Sequence, residues 1–555
     1  MADLGVNIRG EVSVTAQYRA VAQMRWRMLV NSLRTRRGGF EIGARILTQG
    51  FFAFIGLSTG VGLGFAAWQI AAHNSLGMLA ILLWSILVFW QVVPIAVASF
   101  QEIADLSIFL RFPVGFGSYM LLYILFGLFD IGSLVGGIGL FGIWIGASLA
   151  QPSLFVSITL TLALFAIFNI FLTRMIFAWI NRWLAQRKTR EILGAIFLFL
   201  MLGAQFLNPT FYQHRGHHQA ISHTAMMRVL HVAEHVQDAL PPGLAANAIS
   251  SAHTEKPLVA GEDLLFLALY GVAAGALLGI RLGAEYRGES LGEAPAVATK
   301  NAHTSSRGSL LEGSGPIAAV IEKEIHYLMR SGVMLYGFFA TLIVVFLLSG
   351  GSHGGHSPSF GGNYALPIGV AYSFVGLTRF IYNNLGGEGA GIQLYFLSPT
   401  PFRKVMLAKN IVHIMIFLVQ LALVFAIVGF RAGMPDPQIL LITICWLLFA
   451  VPAQLAVGNI LSITMGYRMN MTRMSREQGA AGNSLLSLLV ELLVFAIGAA
   501  VYLVLQSIGH AGLAAPVLLV FAVASILFWF RVLSNAGSMV DARRETLVAN
   551  LYRAA

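Results

Sequence analysis

The chain has 555 residues, 57% of them hydrophobic and only 11% charged, with 35 Lys and Arg against 24 Asp and Glu for a net charge of +11. That balance excludes a soluble fold and points to an all-α integral membrane protein, whose charged residues lie outside the apolar segments and report orientation. The one cysteine, Cys445, sits inside an apolar run, which excludes an intramolecular disulfide and a cysteine-based metal site.

The N-terminal segment 1–45 is basic and amphipathic, and no hydrophobic run with a small-residue cleavage site occurs in it, so the chain is expected to insert through its own spans. Residues 46–101 contain no Asp, Glu, Lys or Arg over more than twice the roughly 20 residues a spanning helix needs. The polar cluster His73-Asn74-Ser75 divides them into two spans. Gln151-Pro152 separates spans three (119–147) and four (154–180), and spans five (192–207) and six (264–280) are short. The first six-helix unit therefore covers 46–282, with an extracytoplasmic insertion at 208–263.

A polar linker (283–316) and an amphipathic connecting segment (317–331) lead to a second unit at 332–531. Spans seven (333–350) and eight (366–381) flank a Gly/Ser/His loop; spans nine and ten share 410–467, interrupted by Arg431, Pro435, Asp436 and Pro437. Spans eleven and twelve share 478–530, broken at Gly509-His510-Ala511-Gly512, before a C-terminal tail at 532–555. The expectation is twelve transmembrane helices in two parallel six-helix repeats. With the N-terminus inside, only Arg215, Arg228, Lys256 and Arg431 lie outside, and the other 35 − 4 = 31 basic residues are cytoplasmic. A bias of that size supports an inner (plasma) membrane protein with both termini cytoplasmic. Arg174, Arg281, Arg379 and Arg531 read as anchors at the inner helix ends.

The halves also align. At an offset of 286, Glu102, Ala104, Pro113, Phe116, Met120 and Leu121 coincide with Glu388, Ala390, Pro399, Phe402, Met406 and Leu407; at 290, Asn169, Ile170 and Met175 coincide with Asn459, Ile460 and Met465. The best-matched stretch is a cytoplasmic loop, where each half places an acidic, apolar-rich segment that a proline stops. An amphipathic helix along the inner membrane surface is its natural shape.

The run Asn384-Leu385-Gly386-Gly387-Glu388-Gly389-Ala390-Gly391, then Tyr395-Phe396-Leu397-Ser398-Pro399, Arg403 and Lys409, resembles the membrane subunits of ABC-2 type exporters. Glu322-Lys323-Glu324 with Arg330 is similar to that family's connecting helix, and Leu240-Pro241-Pro242-Gly243-Leu244 to its extracytoplasmic insertion. The resemblance implies that two segments dock onto cytoplasmic ATPase subunits, two copies being expected. They are Glu102, Asp105, Phe109, Arg111 and Pro113 in the first half, and Gly386, Glu388, Gly389, Phe396, Ser398, Pro399, Phe402 and Arg403 in the second. The first half departs from the pattern, with Phe100, Ile103 and Asp105 where the second has Gly386, Gly389 and Gly391. No Gly-Lys dipeptide occurs, so the lysine-bearing phosphate loop is missing. The chain is thus expected not to be an enzyme and to carry no cofactor; ATP and Mg belong to the partner.

Inside the membrane, an unpaired Asp130 near the middle of span three costs at least about 2.5 kcal/mol and should face a pathway or a partner. Asn169 and Asn459 are further candidates for the translocation path, with helix–helix hydrogen bonding as the plainer role. Glu491 lies near the inner end of span eleven, within reach of water, and His413 reads as a core histidine. Eleven of the 14 histidines fall in outside loops, and His231, Glu234 and His235 form an H-x-x-E-H string on one helical face of an amphipathic segment at 224–240. This string could hold a metal or merely belong to an interfacial helix. The function expected is export of a small or amphipathic molecule, with no nucleic-acid partner. An ion- or proton-coupled secondary transporter is the alternative, and a membrane metallopeptidase the third.

Overall fold

The structure, a computed structural model, describes residues 36–96, 114–128, 130–185, 237–289, 315–349, 364–431, 433–469 and 480–552, together with Arg19, Gln23 and Arg27. The described residues are helical, without strands, and nine of their helices are long and apolar enough to cross a membrane. Three shorter apolar stretches lie at Leu76–Gln91, Phe116–Leu125 and Gly337–Phe346. The expected span at 192–207 lies outside the described residues. The helices fall into two compact units.

In the first unit α1 (Arg36–Ala72) turns at His73–Ser75 into α2 (Leu79–Ala96). Next come α3 (Phe116–Gly127), α4 (Ile131–Ala150) and α5 (Phe155–Ala185), then α6 (Pro241–His253) and α7 (Pro257–Tyr286), both opened by proline, whose missing N–H costs nothing at a helix start. The crossing of α1 and α4 is built on small residues. Gly56, Gly60 and Gly64 recur every four residues along α1, and a Cβ on Gly60 or Gly64 would stand 2.9 Å from the Ile138 carbonyl oxygen or 2.8 Å from that of Gly142. Backbones thus meet directly, the contact by which apolar helices gain packing in lipid, where there is little hydrophobic gain between them. Helix α6 belongs to the stretch read as a polar insertion, yet Ala245, Ala246 and Ile249 are buried against Leu76, Leu79 and Leu83. Its apolar face closes one end of the unit.

In the second unit α8 (Gly315–Arg330) and α9 (Gly332–Leu348) precede α10 (Ala365–Tyr382). A tight turn at Gly386–Gly391, the one-and-a-half-turn α11 (Ile392–Leu397) and α12 (Phe402–Arg431) follow, then α13 (Pro437–Thr464), α14 (Ala480–Ser507), α15 (Ala514–Asp541) and α16 (Arg544–Tyr552). The core joins four helices: Phe374 lies 4.5 Å from Phe417 and 5.8 Å, edge-on, from Trp446, whose indole N–H donates to the Val494 carbonyl at 3.1 Å.

Several expectations need correction. Span three is not one helix but two, α3 and α4, with extended backbone at Asp130. The acidic segment around Glu388 is a glycine turn plus six helical residues rather than one amphipathic helix, because Gly389 has φ +52° and ψ −131°. Arg174, Arg281 and Arg379 are buried in protein, so of the four expected anchors only Arg531 is exposed. Glu491 is also buried; Thr378 donates to one carboxylate oxygen, and the other has no hydrogen-bond partner among the described residues.

If backbone contact decides the α1–α4 crossing, Gly64→Leu should destabilise the detergent-solubilised protein by at least about 1–3 kcal/mol through overpacking. Gly62→Leu, where a Cβ meets nothing within 4 Å, should leave the thermal unfolding temperature unchanged.

Candidate functional site

The site is assembled around the turn between α10 and α12. Where α10 ends, Asn383 donates its amide to the Tyr467 carbonyl at 2.9 Å and accepts the Tyr467 N–H at 3.2 Å. The Leu385 N–H donates to the Ser462 hydroxyl oxygen at 2.8 Å, and the Met469 N–H to the Gly386 carbonyl at 3.0 Å. The turn is thereby sewn to the end of α13. Gly386 is required by this proximity, since a Cβ there would come within 2.6 Å of the Tyr467 carbonyl oxygen. At Gly389 the requirement is conformational: space is open, but the positive φ suits only glycine.

Charge fixes the other side of the turn. Lys409, on α12, is 2% exposed, and its ammonium lies 2.7 Å from a Glu324 carboxylate oxygen and 2.6 Å from one of Glu388. The Asn384 carbonyl accepts a further bond from it at 3.3 Å. Lys323 closes the ring, 2.5 Å from Glu388 and 2.9 Å from Glu324, and donates to the Tyr395 hydroxyl at 2.7 Å. The Tyr327 hydroxyl donates to the Gly387 carbonyl at 2.8 Å. Two carboxylates and two ammoniums thus tie the amphipathic helix α8 to the turn and to α12. Burial works against the Lys323 charge, but Glu324 and Glu388 outweigh it and hold its pKa above the usual lysine value.

Beneath the turn, Leu547 and Leu551 of α16 pack with Leu385, Ile392, Met406 and Val540. The Arg544 guanidinium sits 4.8 Å over the Phe396 ring, which itself stacks on Phe402 at 6.1 Å. The Ser398 hydroxyl accepts the Thr400 N–H at 3.2 Å, turning the chain into α12 through Pro399 and Pro401. What remains outward is a small, mostly apolar face. Leu394 and Leu397 are 71% and 77% exposed, beside exposed Pro399 and Arg403.

This arrangement gives Glu388 partners within the chain. Its side chain is only 11% exposed and paired with two lysines, so it braces the turn. Gly386 and Gly389 shape the turn; Phe396 and Phe402 support it; Ser398 terminates it; among the described members of the expected set, Pro399 and Arg403 are the exposed ones. The counterparts Glu102, Asp105, Phe109, Arg111 and Pro113 lie outside the described residues, as do His231, Glu234 and His235. No group of three or more metal-ligating side chains occurs among the described residues.

In the first unit Asp130 forms an ion pair with Arg174 of α5, whose guanidinium also donates to the Gly127 carbonyl that the helix break releases. Asp130 is therefore partnered, and Arg174 is its partner rather than an anchor. Asn169 donates to the Phe165 carbonyl at 2.8 Å and accepts from the Gln91 amide at 3.4 Å, while Thr173 donates to Gln91 at 3.0 Å, bonding α2 to α5. Asn459 is buried, with no hydrogen-bond partner among the described residues. Sequence reasoning missed Gln91 and α16; the four-residue glycine spacing of α1 was the visible signal that it passed over. No protein-family model, curated protein or solved structure matches the chain.

Removing one member of a buried pair should strand the other charge. Glu388→Ala and Lys409→Ala are each expected to destabilise by about 3–5 kcal/mol, and their double-mutant cycle should show strong coupling in unfolding measurements. Because the Lys323 pKa is raised, its pairing stabilises below that value and is lost only as pH rises past the ordinary lysine range. In the first unit, Asp130→Ala should cost about 3–5 kcal/mol, and adding Arg174→Met should recover part of that loss.

Proposed function

We propose that the chain is the membrane-spanning permease subunit of an ABC-2 type exporter, twelve helices in two parallel repeats with both termini cytoplasmic. It moves a small or amphipathic molecule outward while separate cytoplasmic ATPase subunits bind and hydrolyse ATP. One observation carries this reading: a short element between two long apolar helices is held rigidly by the Lys323–Glu388–Lys409–Glu324 ring and by α16, yet presents a bare apolar face at Leu394 and Leu397. A lever needs both properties, stiffness toward the helices it moves and an exposed surface for the body that pushes it. The missing phosphate loop accords with an energy source on another polypeptide.

The rival reading, an ion- or proton-coupled transporter, draws on Glu491, a buried carboxyl with one unpartnered oxygen. Asp130, which would have been its strongest support, is neutralised by Arg174.

Co-expression with the ATPase encoded nearest this reading frame should yield a complex whose ATP hydrolysis is stimulated by the membrane subunit. Leu397→Asp and Arg403→Glu, both on the exposed face, should reduce that stimulation about tenfold, equivalent to about 1.4 kcal/mol of contact, while the protein remains folded. Absence of any co-purifying ATPase, together with transport in proteoliposomes driven by a pH gradient alone, would reject the proposal.

A further inference from the structure

The second unit contains a cavity of about 210 Å³ between α10, α13, α14 and α15. It is lined by the first turns of α10, as far as Ala371, and the 11 residues from there to Tyr382, about 17 Å at 1.5 Å per residue, separate it from the charged turn. Ile442, Trp446 and Leu518 form a buried floor, whereas Tyr364, Phe495 and Leu503 at the rim are exposed.

The polar atoms of the lining decide what can enter. The Thr443 hydroxyl donates back to the Ile439 carbonyl at 2.7 Å, and the Trp446 N–H is taken by the Val494 carbonyl. Among the described residues no charged side chain lines the cavity. A water needs two to four polar partners, and the described interior side chains offer it only the Thr443 hydroxyl oxygen as an acceptor, too few to hold one, so the interior favours hydrocarbon over water. Only at the rim does polarity return, where the hydroxyls of Tyr364 and Tyr502 lie 3.3 Å apart. Size narrows the choice further. A dry apolar cavity of about 150 Å³ accepts benzene, and whole drug-sized ligands occupy pockets of about 300–1,000 Å³. This cavity suits a stretch of hydrocarbon, not an entire large molecule. Gly498 helps to define it: a Cβ there would come within 2.5 Å of the Trp446 indole nitrogen, so its absence lets the ring lie against α14.

We propose that this cavity binds one hydrocarbon chain of an amphipathic molecule, with the polar end of that molecule at the Tyr364–Tyr502 pair. The site stands on the cavity alone and does not depend on coupling to an ATPase. A resident lipid and a mobile single-chain amphiphile share this chemistry.

The full-length protein in nanodiscs can distinguish them. Phosphatidylcholine bearing a diazirine at the end of one acyl chain should, on photolysis, label Ile442 and its floor neighbour Thr443, both buried where they line the cavity. Ala371→Phe and Ala499→Phe fill the cavity from different helices, and each should lower floor labelling about tenfold while labelling of exposed Val520 and Val523 stays constant. Two fillers guard against one failing to fold, checked by thermal unfolding. Floor labelling displaced by excess dodecylphosphocholine identifies an exchangeable amphiphile, and undisplaced labelling a resident lipid; either supports chain binding. Label confined to Val520 and Val523, or floor labelling equal in wild type and both folded variants, overturns the proposal.

Discussion

Lys409 is an ammonium on an apolar helix with almost no contact with solvent, and such a charge is tolerated only when carboxylates and a carbonyl replace its water. That demand organises one end of the second unit. Glu324 must come from α8, so the amphipathic helix is drawn onto α12; Glu388 must come from the turn, so the chain leaving α10 is bent back over the lysine. Lys323 then balances the second carboxylate and reaches Tyr395 on the short helix that follows. Four charges thus set the position of three elements. The glycines at 386 and 389 allow the bend without themselves driving it.

The first unit meets the same constraint differently. Asp130 and Arg174 neutralise one another within the apolar helices at a helix break, where the Gly127 carbonyl becomes a third member of the group. Elsewhere this unit relies on contact between backbones, with Gly60 and Gly64 against α4, and on the Gln91 bonds between α2 and α5. Charge locks one unit at its end, and small residues with a buried pair lock the other inside. Both are means of holding helices together where the hydrophobic effect contributes little.

Much of this was legible in the chain. The paired long apolar runs, the turn at His73-Asn74-Ser75, the amphipathic segment before α9 and the special character of 384–409 all follow from periodicity, helix-breaking residues and the rarity of charge. The function of single residues was far less legible. Glu388 was expected at a partner's surface from the resemblance of its segment alone, and that pattern carries no sign of the two lysines, distant in sequence, that converge on it and leave it mostly buried. Asp130 looked solitary for a similar reason, its partner lying 44 residues on, at a position that helix-end reasoning assigned to the membrane surface. The support that α16 gives to the turn was invisible, since a short polar-faced helix near a terminus has no local mark of its packing.

By itself the sequence determined that this is a helical membrane protein, where most of its helices run, and which stretch is unlike the rest, because hydropathy and helix-breaking residues act locally along the chain. Only the tertiary structure decided which charges neutralise each other, that α10, α13, α14 and α15 line an apolar cavity with a polar rim, and that the element at 386–403 is braced on its inner side and bare at Leu394 and Leu397. Those are properties of residues far apart in sequence brought within a few ångströms, and nothing in a linear pattern encodes such distances.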